Sequence, residues 1–487
     1  MSKRDLNKLT IKEAREKLDK KEINSVELTQ ACLDRIESID KKVNAFITVC
    51  VDLALEQARN ADARIAKGET GPLLGIPYAA KDNILTKGIR TTSGSKILEN
   101  YIAPYDATVI RRLKKAGAVL LGKANLDQFG HGSSCENSVF GPTHNPWDLD
   151  RVPGGSSGGP AAALAADMAV FAIGTDTGGS IRCPASFCNL VGLRPSYGLN
   201  SRFGFTPMTS STDTVGAFTK TIEDNTIVQQ IIVGPDGHDA TVAQNQTPDY
   251  QEFLKKDLQG LKIGVLDESF EDGVDQGVQE SLRDGIQELK KLGAEVVEIN
   301  LPHIKYSLAV YYIIMPAEDS SNLARLDGIR YGYYDKEARN LEEVYKKSRG
   351  EGFLPETKRR IMIGTYVLSA GYYDAYYKKA QLVRGKIKKE FDEKLREVDC
   401  ILAPVQPTPA FKIGENTADP VQMYLEDVFM APAPLTGLPS LSVPAKFAND
   451  LPVGMQLIGR KFDEGTLYRI GHAFEQATEH HKRRAEI

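Results

Sequence analysis

Apolar and polar positions along the first quarter of the chain alternate between a helical and a strand period. Thr10-Ile11-Lys12-Glu13 has a hydroxyl three residues before a glutamate, a capping box that predicts a helix start. Ser25-Val26-Glu27 opens a second helix running to Ile39, Asn44 to Val51 reads as a strand, and Leu53 to Lys67 as an amphipathic helix. The run from Pro72 to Asn83 predicts a buried strand ending on Lys81. A helix follows over Ala107 to Ala116 and a strand over Ala118 to Gly122, then a helix from Pro160 to Ala166 and a strand from Met168 to Gly174. After residue 220 the alternation resumes: strand at Leu261 to Leu266, helix at Val278 to Leu292, strand at Ala294 to Ile299. Strands return at Cys400 to Pro404 and within Leu441 to Leu457, before a last helix over Glu464 to Glu479.

Repeated alternation of this kind predicts an α/β fold, a sheet layered between helices. Residues 305–395 lose the strand period and read as long, charged, Tyr-rich helices, an insertion expected to cover one edge of the α/β body. Neither an internal repeat nor a low-complexity linker interrupts the chain, so residues 1–487 are expected to form one unit.

Composition narrows the class. At 487 residues, 41% hydrophobic and 26% charged, the chain reads as soluble and globular, with length for a large core. A net charge of −4 argues against nucleic-acid binding by charge alone, and the basic cluster His480 to Arg484 reads as a solvated helix end. Met1 to Asp5 carries charges without an apolar core, so no secretory leader is expected. The longest apolar run, Ala161 to Ile173, is broken by Asp167 and too short to span a bilayer. Six scattered cysteines form no CxxC pair, Cys183 and Cys188 have no histidine near them, and the seven histidines form no HExxH. Together these predict a cytoplasmic enzyme with free thiols, no structural metal and no membrane association.

The candidate chemistry lies in two glycine-rich turns. Pro153-Gly154-Gly155-Ser156-Ser157-Gly158-Gly159 precedes an apolar helix, with Pro160 expected at its first position and its N–H groups facing Ser156 and Ser157; Gly174-Thr175-Asp176-Thr177-Gly178-Gly179-Ser180 follows a strand. Glycine lets several backbone N–H groups converge on one point, which suits an anion or a developing oxyanion. No GxxxxGK[ST] is present, which weakens a nucleotide site, and no GxSxG elbow or neighbouring histidine supports a Ser-His-Asp triad. Lys81 is the natural proton acceptor, because burial disfavours its charged form. Alone it would read as a snorkelling or salt-bridged lysine. With the serines it suggests a Ser/Lys acyl-transfer site, one serine relaying a proton and another attacking. An anion cradle for phosphate or nucleotide stays open on the residues alone.

Taken together, Lys81-Asp82, Gly154-Gly155-Ser156-Ser157-Gly158-Gly159 and Gly174-Thr175-Asp176-Thr177-Gly178-Gly179-Ser180-Ile181-Arg182 resemble the amidase signature family. The resemblance implies a mixed sheet between helices and a Ser–cis-Ser–Lys catalytic set. Ser180 would be the nucleophile, Ser156 the cis-peptide relay and Lys81 the base. The N–H groups of Thr177, Gly178, Gly179 and Ser180 would form the oxyanion hole, with Ser157 as a supporting hydrogen-bond partner. Asn145-Pro146-Trp147-Asp148, Arg330-Tyr331-Gly332-Tyr333 and Gly371-Tyr372-Tyr373-Asp374-Ala375-Tyr376-Tyr377 are similar to the glutamine-hydrolysing branch that serves tRNA-dependent amidotransferases. That branch implies glutamine as substrate, its α-carboxylate on Arg360 and its α-ammonium on Asp427. It also implies a heterotrimer with B and C subunits, with ATP and Mg2+ on the partner, no cofactor on this chain, and charged tRNA met mainly through the partner. A stand-alone amidase is the alternative within the family. This chain departs from the usual pattern at Pro160, at Cys183, at Thr214 and Ala217, and at Gln128-Phe129-Gly130-His131, where Glu-Phe-Ala-Met is more usual.

Overall fold

A computed structural model describes residues 3–417 and 419–487. Met1 and Ser2, on which the reading of the chain's start partly rests, lie outside the described residues. The first helix, Ile11–Asp19, begins as its capping box requires: the Glu13 N–H donates to the Thr10 hydroxyl at 3.2 Å, and the Thr10 N–H donates to the Glu13 carboxylate at 2.9 Å. The second, Ser25–Val43, outlasts its expected end at Ile39 and stops at Asn44, whose left-handed backbone (φ 55°) closes it. The strand expected from Asn44 is therefore confined to Phe46–Val49.

The strands are β1 (Phe46–Val49), β2 (Pro77–Lys81), β3 (Val119–Ala124), β4 (Phe171–Asp176), β5 (Val191–Arg194), β6 (Thr214–Thr219), β7 (Lys262–Leu266), β8 (Glu295–Ile299), β9 (Cys400–Pro404), β10 (Ser440–Pro444) and β11 (Gly454–Gly459). Among the described residues they form one sheet in the order β1-β3-β2-β4-β6-β5-β10-β11-β9-β7-β8. The triplets β3-β2-β4 and β9-β7-β8 are parallel and the remaining neighbours antiparallel, so the sheet is mixed. The strands β5 and β6, which the apolar pattern does not predict, stand near its middle. Val-Gly-Leu-Arg and Thr-Val-Gly-Ala-Phe-Thr are short and glycine-containing, and give almost no apolar run to read.

Helices cover both faces. Along β7, β9 and β11, residues such as Ile263, Leu402 and Leu457 join a core with the helices Gln276–Lys291 and Glu464–Ala477. Their neighbours Leu266, Ile401, Ala403 and Ile458 face the opposite way, against the helices Ser307–Asn322 and Lys379–Glu397. This is the period-2 alternation of a sheet buried on both sides. The helical segment therefore lies over a face of the sheet rather than along an edge, because alternate strand residues there are apolar in both directions. Among the described residues no helix is long and apolar enough to cross a membrane.

Candidate active site

Tyr78 pairs with Phe171, Ala79 with Ala172 and Ala80 with Ile173 in parallel register, so β2 and β4 end side by side. Lys81 closes β2 and Asp176 closes β4, and carboxyl ends of parallel strands are where open α/β sheets gather ligands. Ser156 and Ser157 reach the same place from the start of the helix Gly158–Ala165. That helix begins two residues earlier than expected, so Pro160 is its third residue, still among the N-terminal positions whose N–H has no helical acceptor. Its Gly159 N–H donates to the Asn125 carbonyl just beyond β3 at 3.1 Å rather than facing the serines.

Lys81 is fully buried, and its Nζ donates to Ser156 Oγ at 2.8 Å and Thr175 Oγ1 at 3.0 Å. Asn83 Nδ2 donates to the same threonine oxygen at 3.2 Å. Burial pulls the lysine down to about 8, against the opposing charge of Asp127. A lysine held by hydroxyls at that value is poised to give or take a proton near neutral pH. The Gly155–Ser156 peptide bond is cis, as the resemblance implied.

The second turn is organised by Asp176, a residue to which the sequence pattern assigns no role. Arg182 Nε donates to its carboxylate at 3.1 Å and Arg194 Nη1 at 2.9 Å, all three side chains fully buried. The Gly179 and Ile181 N–H groups bind the same carboxylate at 3.0 and 3.2 Å. Burial alone would raise the Asp176 carboxyl, but the two guanidinium groups hold it below the ordinary carboxylate range. The Gly179 N–H, expected in the oxyanion hole, is thus already engaged by Asp176, which corrects that expectation. The N–H groups of Thr177, Gly178 and Ser180 find no protein acceptor among the described residues. Gly179 takes φ 137°, and a Cβ at Gly178 would stand 2.2 Å from the Tyr311 hydroxyl, so both positions require glycine. Ser157 ties the two turns together: its N–H donates to the Ser180 carbonyl at 3.2 Å and its Oγ to the Thr175 carbonyl at 3.1 Å. Ser180 keeps 7% of its surface exposed whereas Lys81 keeps none.

Arg360 and Asp427, far apart in sequence, meet through Tyr312. Its hydroxyl donates to Asp427 Oδ2 at 2.6 Å, and its ring lies 5.0 Å from the Arg360 guanidinium. Ser133 Oγ donates to Asp427 Oδ1 at 2.8 Å, and Arg360 Nε donates to Glu356 Oε1 at 2.7 Å. Tyr424 stacks on Tyr312 with centroids 4.0 Å apart, 5.1 Å from the guanidinium. Burial raises the Asp427 carboxyl, and the hydrogen bonds from Tyr312 and Ser133 work against that rise. A buried guanidinium and a buried carboxylate on one aromatic wall suit an α-amino acid's two charged groups. Tyr311, Tyr312, Ser133 and Tyr424 carry no signal in the sequence because their relevance depends on packing between distant segments. Cys183 is fully buried and burial pushes its thiol far up, so it is inert beside the site. Among the described residues no cluster of three or more His, Cys, Asp or Glu side chains could hold a metal ion.

The amidase family model matches residues 27–468, and this chain belongs to the amidase family. The A subunit of glutamyl-tRNA(Gln) amidotransferase from Carboxydothermus hydrogenoformans is 57% identical over 484 residues, 99% of this chain and 100% of that protein. The crystal structure of the A subunit of the same amidotransferase from Thermotoga maritima is 45% identical, with a TM-score of 0.79, covering 97% of this chain and 95% of that one. Native peptide amidase from Stenotrophomonas maltophilia is more distant in sequence, 30% identical, yet superimposes with a TM-score of 0.83 over 98% of each chain.

Proposed function

We propose that this chain is the glutaminase subunit of a tRNA-dependent amidotransferase, acting in the cytoplasm. The observation that carries the chemistry is the buried hydrogen bond from Lys81 Nζ to Ser156 Oγ at 2.8 Å. Neutral Lys81 takes a proton through Ser156 from Ser180, whose Oγ attacks the side-chain amide carbon of glutamine. The N–H groups of Thr177, Gly178 and Ser180 face the oxyanion, with Gly179 holding the turn on Asp176 rather than donating. As the tetrahedral intermediate collapses, Lys81 returns the proton through Ser156 to the departing nitrogen. Ammonia leaves and a glutamyl-Ser180 ester remains. Water, activated by the same pair, attacks the ester and releases glutamate. Arg360 takes the α-carboxylate and Asp427 the α-ammonium.

Ammonia then passes to a partner that activates charged tRNA with ATP and Mg2+, in a complex completed by B and C subunits. The full-length similarity to proteins named as the A subunit of this enzyme supports that division. The test is glutamine hydrolysis and ammonia transfer by the chain alone, then with B and C subunits and Glu-tRNA(Gln) or Asp-tRNA(Asn). Transfer that needs all components supports the reading. Hydrolysis of simple amides with indifference to Arg360→Ala and Asp427→Ala would indicate a stand-alone amidase instead.

A further inference from the structure

Just beyond the end of β3, Asp127 is fully buried against the turn that carries Ser156. Its N–H donates to the Ser156 carbonyl at 3.2 Å. Its carboxylate gathers the loop that follows: Oδ2 accepts from the Cys135 N–H at 2.9 Å, and Oδ1 from the Asn137 N–H at 3.0 Å and Asn137 Nδ2 at 3.3 Å. Glycines make room for it on two sides. A Cβ on Gly155 would collide with Oδ2, and one on Gly132 would stand 2.5 Å from Cγ. Contacts on Gly155 and Ser156 together hold the backbone that aims Ser156 Oγ at Lys81. The gathered loop also carries Ser133, the donor to Asp427 Oδ1.

The hydrogen bonds to Asp127 come from backbone N–H groups and an amide, whereas Asp176 is paired with Arg182 and Arg194. Burial pushes the Asp127 carboxyl up to about 6 and Glu136 adds to the rise, while the two N–H groups and Lys81 work against it. It is therefore ionised where Lys81, at about 8, exchanges its proton. Of the groups that face Lys81, Asp127 opposes the effect of burial most, ahead of Cys135, Asp176 and Asp213. Burial pushes the Cys135 thiol up to about 12, so it is neutral there; Asp176 is spent on its arginines and Asp213 feels Arg202. Without the Asp127 charge, burial would draw Lys81 lower still, and a weaker base accepts the Ser180 proton less readily.

We propose that Asp127 is a positioning residue of the proton relay: it fixes the Gly155-Ser156 backbone and the loop 132–137, and its negative charge is the counterweight to Lys81. This role rests on the proposed relay through Lys81 and Ser156, whatever amide the site accepts.

The test is the pH profile of glutaminase kcat/KM in the full chain assembled with its partner subunits, for the unsubstituted enzyme, Asp127→Asn and Asn137→Ala. Asp127→Asn keeps the size of the side chain but loses the charge and one loop contact, because its NH2 faces an N–H donor. Asn137→Ala loses a loop contact and keeps the charge. In Asp127→Asn the acid limb should move down by about one pH unit and the plateau fall about tenfold or more. In Asn137→Ala the limb should stay in place, whatever the height of the plateau. Asp127→Ala, in which water can reach the vacated N–H groups, carries the same expectation if the Asn variant does not fold. A limb unmoved in the Asp127 variants, or moved equally in Asn137→Ala, overturns the counterweight, and an undiminished plateau overturns the positioning. A limb that persists in Lys81→Ala would instead defeat the relay itself. Absence of glutamine turnover in the unsubstituted enzyme would defeat the proposed substrate, and the same pH comparison of Ser180 sulfonylation by phenylmethanesulfonyl fluoride would still decide the role of Asp127.

Discussion

Lys81 illustrates how burial prepares an ordinary side chain for the base role proposed for it. Removing the ammonium from water brings it down to about 8, and its partners are hydroxyls that tolerate either protonation state. The proposed mechanism needs the neutral amine, whose fraction grows as pH rises. Glutaminase kcat/KM should therefore climb about tenfold per pH unit on the acid side and level off near pH 8. A pH–rate profile checks this, and Lys81→Ala should lose the limb along with nearly all activity. The proposed amino-acid pocket gives a second expectation: Arg360→Ala should raise KM for glutamine by about ten- to a hundredfold, since a charge-assisted contact contributes about 1.5–3 kcal/mol. Steady-state kinetics read that directly. At this scale the sequence exposes the reactive groups better than their supports. Lys81, Ser156 and Ser180 stand in recognisable company, whereas Thr175, Asp176 and Tyr312 matter through partners that local spacing does not reveal.

Strand ends and helix caps decide how firmly those groups are held. The glycine turn after β4 is shaped by one carboxylate that receives two arginines and two backbone N–H groups. Asp176→Ala leaves those arginines buried and unpaired, so a loss of about 3–5 kcal/mol in unfolding free energy is expected, with activity abolished. Denaturant unfolding measures it. A different element sets a pH-dependent stability. Glu475, buried in the helix Glu464–Ala477, caps the helix Ile222–Ile232 by accepting the Ile222 N–H at 2.8 Å, and burial pushes its carboxyl up to about 8. Because the folded value exceeds the unfolded one, the folded state holds more protons across that interval, and stability falls as pH rises from about 4.5 to about 8. Glu475→Gln should flatten that decline, as thermal unfolding followed across the same interval would report. Helix starts with capping boxes and apolar strands such as β2 and β7 are legible from periodicity. The strands β5 and β6 are not, because their stability comes from the sheet around them rather than from their own residues.

For the whole molecule, the helical segment is the part that joins the scaffold to the proposed glutamine site. It seals one face of the sheet with Ile314, Ile387 and Phe391, and extends Tyr311, Tyr312 and Arg360 toward the carboxyl ends of β2 and β4. Tyrosine-rich helices are readable in the sequence, but the face they cover follows from strand alternation that only the assembled sheet displays. If the chain works inside an amidotransferase, its glutaminase rate should rise at least about tenfold when B and C subunits and charged tRNA are present, the size a coupling free energy of about 1.4 kcal/mol would give. Glutamate release measured with and without those components checks this.

All of the proposed chemistry passes through Ser180 Oγ, the atom that becomes acylated. The direct measurement is peptide mass spectrometry after treatment with a glutamine analogue bearing an electrophile at the amide carbon. The prediction is a stoichiometric adduct on Ser180, lost in Ser180→Ala and slowed in Lys81→Ala. An adduct that persists on another residue in Ser180→Ala, or labelling indifferent to Lys81, would contradict it.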